Sequence, residues 1–189
     1  PPYLGLIESG DAGGSWTPVS LYGDADFHVL RTAGRRVVGY GSDFKTRRQQ
    51  LLVSEDGGRT WSQRRPPMIL LDLILSPADP DVWVAAGAKG VMRSADAGRT
   101  WTRLPGLAGK LAWPDAKALI RAEPNGELFR SSDAGTTWRP AGDLVGRPAA
   151  LAADDGVLYA AVHTGVIKMS RDLGATWTVR SRPRPTTTS

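Results

Sequence analysis

The sequence predicts an all-β fold of repeated four-stranded antiparallel sheets, which is the arrangement of a β-propeller. An eight-residue signature, Ser-x-Asp-x-Gly-x-Ser/Thr-Trp, occurs five times without gaps. Its tryptophans are 45, 40, 37 and 39 residues apart, and short β-rich runs separated by turn residues lie between the signatures. Four strands per repeat of about 40 residues is the propeller pattern, whereas a β-sandwich gives no reason for one turn to recur in register.

Each signature is predicted to form the turn between the third and fourth strands of a blade. Aspartate accepts hydrogen bonds from the backbone N–H groups that follow it, and glycine supplies the positive φ of the bend. Hydroxyl groups close the remaining bonds, while tryptophan packs its apolar face over the turn. The turn-forming aspartates and tryptophans are Asp11, Asp56, Asp96, Asp133, Asp172, Trp16, Trp61, Trp101, Trp138 and Trp177.

The strands of each unit, called A to D, are placed by reference to this turn. An aliphatic residue three positions before each serine marks strand C, and a short run after the tryptophan, such as 100–103, forms strand D. The predicted A strands are Phe27–Thr32, Ile69–Ser76, Lys110–Trp113 and Ala149–Ala152. The predicted B strands are Arg36–Tyr40, Val82–Ala86, Ala118–Ala122 and Val157–Val162.

The domain organisation follows from the strand count. Residues 1–22 supply only strands C and D of the first unit, and four complete blades follow, so residues 1–180 form the predicted propeller. An open arc would expose an edge strand and a blade face. We therefore expect missing upstream sequence or another chain to complete the first blade. Residues 181–189 are rich in proline and threonine and are expected to form a disordered tail.

Composition narrows the function classes. The chain has a net charge of +5 and no cysteine, which excludes disulfides, thiolate metal sites and cysteine nucleophiles. Its 19 arginines are dispersed along the sequence, so we expect no nucleic-acid partner. No apolar run approaches the roughly 20 residues of a membrane helix, so we expect no membrane insertion. No cofactor or metal is expected, because no phosphate loop or metal-spaced cluster occurs.

The signature resembles the Asp-box, or BNR repeat, of propellers in sialidases, sortilin-type receptors and a photosystem assembly factor. The resemblance covers about residues 4–180. Short blades and frequent alanine and arginine are most similar to uncharacterised secreted actinobacterial proteins of the glycosyl-hydrolase-like group. The resemblance implies a secreted or cell-surface bacterial protein. It also implies that the signature aspartates are structural, and that the D-to-A and B-to-C connections form the binding face.

Hydrolysis of the sialidase type is the first alternative function. The resemblance implies that such a hydrolase needs three arginines to hold the substrate carboxylate, a tyrosine nucleophile helped by a glutamate, and an aspartate as the acid/base. The Arg-Ile-Pro motif that usually accompanies this set does not occur. Tyr40 and Tyr159 lie in predicted B strands with small neighbours, as core residues do. In a hydrolase the carboxylates would come from different blades, and the acids available are Asp24, Asp26, Asp43, Glu123 and Asp143.

Basic residues on the expected binding face indicate an anionic partner. The B-to-C segment Gly41–Gln50 is the one large insertion and explains the 45-residue spacing. Arginine pairs well with carboxylate and phosphate groups. We therefore expect a non-catalytic binding or scaffold propeller that recognises an anionic glycan or a protein. The candidate ligand-binding residues are Lys45, Arg47, Arg48, Arg64, Arg65, Lys89, Lys110, Arg147 and His163.

Three further interpretations concern the second alternative and single residues. An assembly-factor or chaperone propeller would require contiguous arginines, with Arg47, Arg48, Arg64 and Arg65 on one face. His28 and His163 fall in different blades, so we interpret them as independent residues rather than a shared metal site. Asp72 interrupts an aliphatic A strand, and we expect its carboxylate to face channel water or the backbone of a neighbouring blade.

Overall fold

The computed structural model describes residues 5–184. Pro1–Leu4 and residues 185–189 lie outside the described part, and so does most of the predicted tail. Residues 5–184 form eighteen β-strands and contain no helix, so no described helix could cross a membrane. The strands make four antiparallel four-stranded blades of a β-propeller and one two-stranded sheet at the N-terminal end. The prediction of an all-β propeller with a partial first unit is therefore confirmed.

The strands follow chain order within each sheet. The partial unit contains β1 (Leu6–Glu8) and β2 (Thr17–Ser20). The A strands are β3 (Ala25–Ala33), β7 (Leu70–Leu75), β11 (Lys110–Asp115) and β15 (Pro148–Asp154). The B strands are β4 (Arg36–Asp43), β8 (Trp83–Gly87), β12 (Ala118–Ala122) and β16 (Val157–Val162). The C strands are β5 (Gln49–Ser54), β9 (Gly90–Ser94), β13 (Glu127–Ser131) and β17 (Ile167–Ser170). The D strands are β6 (Ser62–Arg64), β10 (Thr102–Leu104), β14 (Arg139–Asp143) and β18 (Thr178–Ser181).

All five signature turns adopt one hydrogen-bonded arrangement, shown by the turn at Asp133. Ser131 Oγ donates to Asp133 Oδ1 at 2.8 Å and accepts from the backbone N–H of Gly135 at 2.8 Å. Thr137 donates its backbone N–H to Oδ1 at 2.8 Å and its hydroxyl to Oδ2 at 2.7 Å. The glycine has a φ of 89°, a left-handed value that favours glycine. Both oxygens of the carboxylate are thereby engaged within the turn itself.

Packing between consecutive blades forms the core. One apolar cluster joins the first and second blades around Tyr40, Leu73 and Trp83. A second cluster joins the second and third blades, and a third joins the third and fourth. The innermost A strands also contact one another in sequence, β3 with β7, β7 with β11 and β11 with β15. Each blade therefore buries its faces against its neighbours, as the repeat pattern requires.

The partial unit packs against the first blade as a preceding blade would. Ser20 donates its hydroxyl to the Gly58 carbonyl at 2.5 Å and accepts from Trp61 Nε1 at 2.9 Å. The side chain of Leu6 lies against the α-carbon of Gly58, where a β-carbon would meet it at 2.1 Å. Leu128 lies beside Gly174 in the same way between the third and fourth blades. The contact between units is thus repeated at the incomplete end.

The large insertion differs from its prediction as a loop. Strand β4 continues to Asp43 and β5 begins at Gln49, and Gly41 pairs with Gln50 in the ladder. Gly41 lies so close to β3 that a β-carbon there would be 1.9 Å from the Asp26 carbonyl oxygen. The insertion therefore lengthens a β-hairpin, and only residues 44–48 form its tip.

Candidate functional site

The propeller has two dissimilar faces, because consecutive antiparallel strands alternate in direction. The signature face carries the A-to-B turns and the five signature turns. The loop face carries the B-to-C turns and the D-to-A connections. Backbone bonds join these two kinds of loop, as between His163 N–H and the Arg147 carbonyl at 3.0 Å and between Ala88 N–H and the Ile69 carbonyl at 3.1 Å. The loop face is therefore held by its own backbone.

Two adjoining cavities form a groove across the loop face. The first has a volume of about 250 Å³ and lies between the third and fourth blades. The second has a volume of about 590 Å³ and lies between the second and third blades. Both are lined by Leu71 and Pro124, so they share a wall and form one continuous feature, called the loop-face groove here.

Basic side chains lie along both parts of the groove. Lys110, Arg147 and His163 line the first cavity, and Lys89 and Arg103 line the second. Lys110 Nζ contacts the Leu71 carbonyl oxygen at 3.4 Å. The ionic groups of the other four contact no carboxylate among residues 5–184. The positive charges of Lys89, Arg103 and Arg147 therefore have no carboxylate partner among the described residues.

Exposed apolar side chains line the same groove at Leu71 and Leu107 and also occur elsewhere on the loop face. Leu71, which separates the two cavities, is 41% exposed, and Leu107 in the second cavity is 65% exposed. Ile69 and Val145, on two D-to-A connections, are 68% and 78% exposed. Single exposed leucines are ordinary on a protein surface, whereas Leu71 and Leu107 lie together in one groove.

The predicted ligand-binding residues divide into two groups. Lys89, Lys110, Arg147 and His163 come together in the loop-face groove. The remaining five, all in the first blade, lie at the same face but do not line the groove. Lys45 Nζ binds Asp24 at 2.7 Å, Arg47 stacks 4.9 Å from the centre of the Phe44 ring, and Arg64 donates to Ser62 Oγ at 3.1 Å. These five residues are Lys45, Arg47, Arg48, Arg64 and Arg65.

Most of the candidate catalytic acids have structural partners. Asp43 Oδ1 accepts the backbone N–H groups of Lys45 and Thr46, which lowers its pKa. Asp143 Oδ1 accepts the Val145 N–H at 2.6 Å. Asp24 pairs with Lys45, and the exposed Asp26 lies within β3. Neither cavity of the groove is lined by an aspartate or glutamate.

Glu123 corrects a prediction, because it does not lie on the exposed rim. Its side chain is 8% exposed and accepts a hydrogen bond from Arg121 Nη2 at 2.8 Å. The Arg121 guanidinium is 3% exposed and lies 4.4 Å from the centre of the Trp138 ring and 4.9 Å from that of Phe129. Burial lowers the pKa of Arg121, and the Glu123 charge opposes that shift. Both side chains are therefore buried, with the Arg121 guanidinium packed against the third blade and against Gly106 of the preceding connection.

Asp72 belongs to the packing of the A strands. Its Oδ1 accepts from Arg31 Nη2 at 2.6 Å and from the Leu73 N–H at 2.8 Å. Its Oδ2 accepts from the Leu111 N–H of the next blade at 2.9 Å. Burial raises the pKa of this carboxyl, and the Arg31 charge opposes the shift. Of the two alternatives left open by the sequence, Asp72 takes the contact with a neighbouring blade.

No metal centre is evident in the described part of the chain. Residues 5–184 contain no group of three or more histidines, aspartates or glutamates placed to hold an ion. His28 lies in the first blade, where its Nε2 is 3.4 Å from Ser42 Oγ, and His163 lies in the groove.

Sequence reasoning missed the apolar part of the groove and one of its cations. Leu71 and Leu107 are 36 positions apart, so no local run marks them. Arg103 lies near the end of a D strand rather than in a connection. Apolar residues in D-to-A connections, which should be polar if merely solvated, were the signal that could have identified this surface.

Comparisons with solved structures agree with the fold. The sequence matches no family model and no curated protein sequence. YCF48 from Cyanidioschyzon merolae superposes with a TM-score of 0.65 at 16% identity, covering 88% of this chain and 60% of that one. The GH74 xyloglucanase from Xanthomonas campestris superposes with a TM-score of 0.64 at 26% identity, covering 87% and 27%. A structure of YCF48 bound to D1 peptide has a TM-score of 0.57 at 20% identity, covering 91% and 59%.

These neighbours place the chain among β-propellers. The chain spans about 60% of the length of the YCF48 structure and about a quarter of the xyloglucanase. The chain is therefore similar in fold to propellers of both kinds.

Proposed function

We propose that this chain is a binding propeller of the Asp-box type that holds an acidic, partly apolar protein segment in its loop-face groove. One observation carries the proposal: exposed apolar side chains and unpaired basic side chains line two adjoining cavities. Apolar surface supplies affinity by leaving water, and the surrounding cations select acidic segments and speed their approach.

The groove has the composition of a protein-binding surface rather than of a sugar-cleaving cleft. A glycosidase of the two-carboxylate type needs acids about 5–10 Å apart across the bound sugar. No carboxylate lines either cavity, and four of the five candidate acids are held by turns or ion pairs. YCF48, a neighbour in fold, has been solved with a bound peptide. Both points favour peptide binding over hydrolysis.

Rigidity of the loop face also favours binding. The D-to-A and B-to-C loops are joined by backbone hydrogen bonds, so their side chains are already in position before a ligand arrives. A preorganised surface loses less conformational entropy on binding than a mobile one. The groove can therefore bind an extended segment without first folding.

The proposal is tested by measuring the binding of labelled peptides by fluorescence anisotropy. One peptide alternates glutamate with leucine, a second replaces glutamate with glutamine, and a third replaces leucine with serine. We expect the first to bind most tightly. Arg147→Glu should weaken binding of this peptide by about tenfold or more, because a positive charge in the groove is replaced by a negative charge that repels the glutamates of the peptide. Leu107→Ser should also weaken it.

Lys117→Glu is the matched control. Lys117 belongs to the same blade as Lys110 but lies on the signature face, in the turn between β11 and β12. The Lys117→Glu variant should therefore bind the peptide with the same affinity as the parent chain. Equal affinity for all three peptides, or equal losses in Arg147→Glu and Lys117→Glu, would show that the groove is not the site. If the chain cleaves a glycan, and the cleavage is lost when an acid on the loop face is changed, the function is hydrolysis rather than peptide binding.

A further inference from the structure

A second groove lies on the signature face, between the third and fourth blades, and is independent of the loop-face groove. Its volume is about 510 Å³. The third blade contributes strand residues and the hydroxyl side chains of Ser132 and Thr137, and the fourth contributes its signature turn. The two blades are in close contact beside the groove, since a β-carbon on Gly142 would be 2.1 Å from the Gly174 carbonyl oxygen. The complete lining is Arg130, Ser132, Thr137, Arg139, Pro140, Ala141, Asp172, Leu173 and Ala175.

Two arginines lie side by side on one wall of this groove. Arg130 of β13 and Arg139 of β14 are direct partners in the antiparallel ladder, so their side chains leave the same face of the sheet. Like charges in this position destabilise a sheet. Neither guanidinium is paired with a carboxylate among residues 5–184. The one lining acid, Asp172, already accepts from Ser170 Oγ, Thr176 N–H and Thr176 Oγ1.

The repeat itself does not require the second arginine. The residue after the signature tryptophan is a hydroxyl residue in every other unit, namely Thr17, Ser62, Thr102 and Thr178. Three of these donate to the carbonyl oxygen of their partner on strand C, as Thr178 Oγ1 does to Met169 at 3.3 Å. Arg139 lacks that short hydroxyl. The third blade therefore has a clustered charge where the other units have a hydroxyl side chain.

We propose that the Arg130–Arg139 groove is a binding site for a tetrahedral oxyanion, presented as the sulfate ester of a glycan. Two guanidinium groups can each donate to different oxygens of one sulfate, which neutralises their mutual repulsion. The Ser132 hydroxyl can bond a sugar hydroxyl, and Thr137 Oγ1, which donates to Asp133 Oδ2, can still accept a hydrogen bond from one. Pro140 and Leu173 offer apolar surface to the face of a sugar ring. The groove thus combines the chemistry of an ester sulfate with that of the sugar that carries it.

The test is a titration of the ¹⁵N-labelled chain, followed by NMR, with potassium sulfate and with potassium chloride at equal ionic strength. Galactose 6-sulfate, galactose and a phosphoserine tripeptide are then compared. Sulfate should shift the amides of residues 130, 132, 137, 139 and 173, and chloride should not. Galactose 6-sulfate should bind about tenfold more tightly than inorganic sulfate, because the sugar adds contacts.

Arg139→Thr restores the residue of the other units, so it should fold, and it should weaken sulfate binding by about tenfold. Arg99→Thr is the control, because Arg99 is the exposed arginine of the second blade's signature turn. Shifts that are equal in sulfate and chloride, or that survive in Arg139→Thr, would overturn the site. Equal affinity for inorganic sulfate and galactose 6-sulfate, or tighter binding of the phosphopeptide, would overturn the glycan assignment. Peptide binding at the loop-face groove should be unchanged in Arg139→Thr.

Discussion

Single carboxylates hold the signature turns together, and their ionisation links the fold to pH. Hydrogen bonds from the neighbouring serine or threonine lower the pKa of Asp11, Asp133 and Asp172 from 3.8 to about 2. The pKa values of Asp56 and Asp96 are lowered as well. Because the folded-state pKa values are depressed, this stabilisation is fully present above about pH 4 and is lost as the pH falls towards 2.

We therefore expect acid to unfold the chain between about pH 4 and pH 2. Tryptophan fluorescence and circular dichroism, recorded over a pH series, measure this transition. Asp133→Asn should destabilise the chain at pH 7, because an amide nitrogen cannot accept the hydrogen bond that the Thr137 hydroxyl donates. It should also make stability depend less steeply on pH between about pH 4 and pH 2. Two results would contradict this account. One is a chain that is already unfolded at pH 5, and the other is an acid unfolding curve that is the same in Asp133→Asn as in the parent chain.

The buried pair Arg121 and Glu123 gives a second prediction at the residue scale. Glu123→Gln leaves the Arg121 charge buried without a counter-charge, which should lower the free energy of unfolding by about 3–5 kcal/mol. Urea denaturation measures the change. Glu127→Gln is the control, because the exposed Glu127 side chain on β13 bonds only Asn125 among the described residues. This change should alter stability by less than about 0.5 kcal/mol. Similar effects of the two changes would show that the buried pair does not stabilise the blade.

At the scale of the element, the tryptophans show how the repeat is held together. The signature tryptophans of the complete blades are partly buried, and Trp16 of the partial unit is 59% exposed. The fully buried tryptophan is instead Trp83 on β8, and its Nε1 donates to the Pro80 carbonyl at 2.7 Å. Its ring lies 6.3 Å from that of Trp101. The second blade therefore relies on a strand tryptophan as well as on its signature.

Replacing these tryptophans should distinguish the two positions. Trp83→Ala should cost about 3–5 kcal/mol of unfolding free energy, since it leaves a large cavity between blades. Trp16→Ala should cost less than about 0.5 kcal/mol, because the side chain is largely exposed. Thermal or urea unfolding of both variants provides the comparison. Comparable losses would mean that the partial unit is as tightly packed as a complete blade.

The strands show how much of the fold the sequence could predict. The repeat located every blade, and β12 and β16 have the predicted bounds because turn residues flank them closely. The hairpin extension at Gly41–Gln50 was missed, since its glycine, serine and aspartate have turn propensity and become extended only by pairing with the neighbouring strands β3 and β5. The position of Glu123 was missed too. Opposite charges two residues apart at Arg121 and Glu123 were the available signal, because they share one side of a strand.

At the scale of the whole molecule, the site arises between blades. The loop-face groove takes residues from the second, third and fourth blades, and its two cavities meet at Leu71 and Pro124. The sequence placed Lys89, Lys110, Arg147 and His163 on the loop face, and the structure brings these four side chains together in the groove. The sequence could not show which loops adjoin, because adjacency depends on how the blades pack rather than on any one repeat.

Salt should reveal the electrostatic share of binding at this groove. The cations are exposed to solvent, so raising the ionic strength from about 0.05 to 0.5 M should progressively lower the affinity of the groove for the acidic peptide. The serine-substituted peptide should show a similar slope and a lower starting affinity. Affinity that does not change with salt would place the binding energy in apolar contacts alone.

The most direct test is an NMR map of the acidic, leucine-containing peptide on the ¹⁵N-labelled chain. If the loop-face groove is the binding site, the shifted amides belong to the non-proline residues of 69–71, 87–90, 103–110, 122–124 and 145–149 and to residue 163. The signature turns should remain unshifted. Shifts concentrated in those turns, or in the first-blade hairpin, would contradict the assignment of function to the groove.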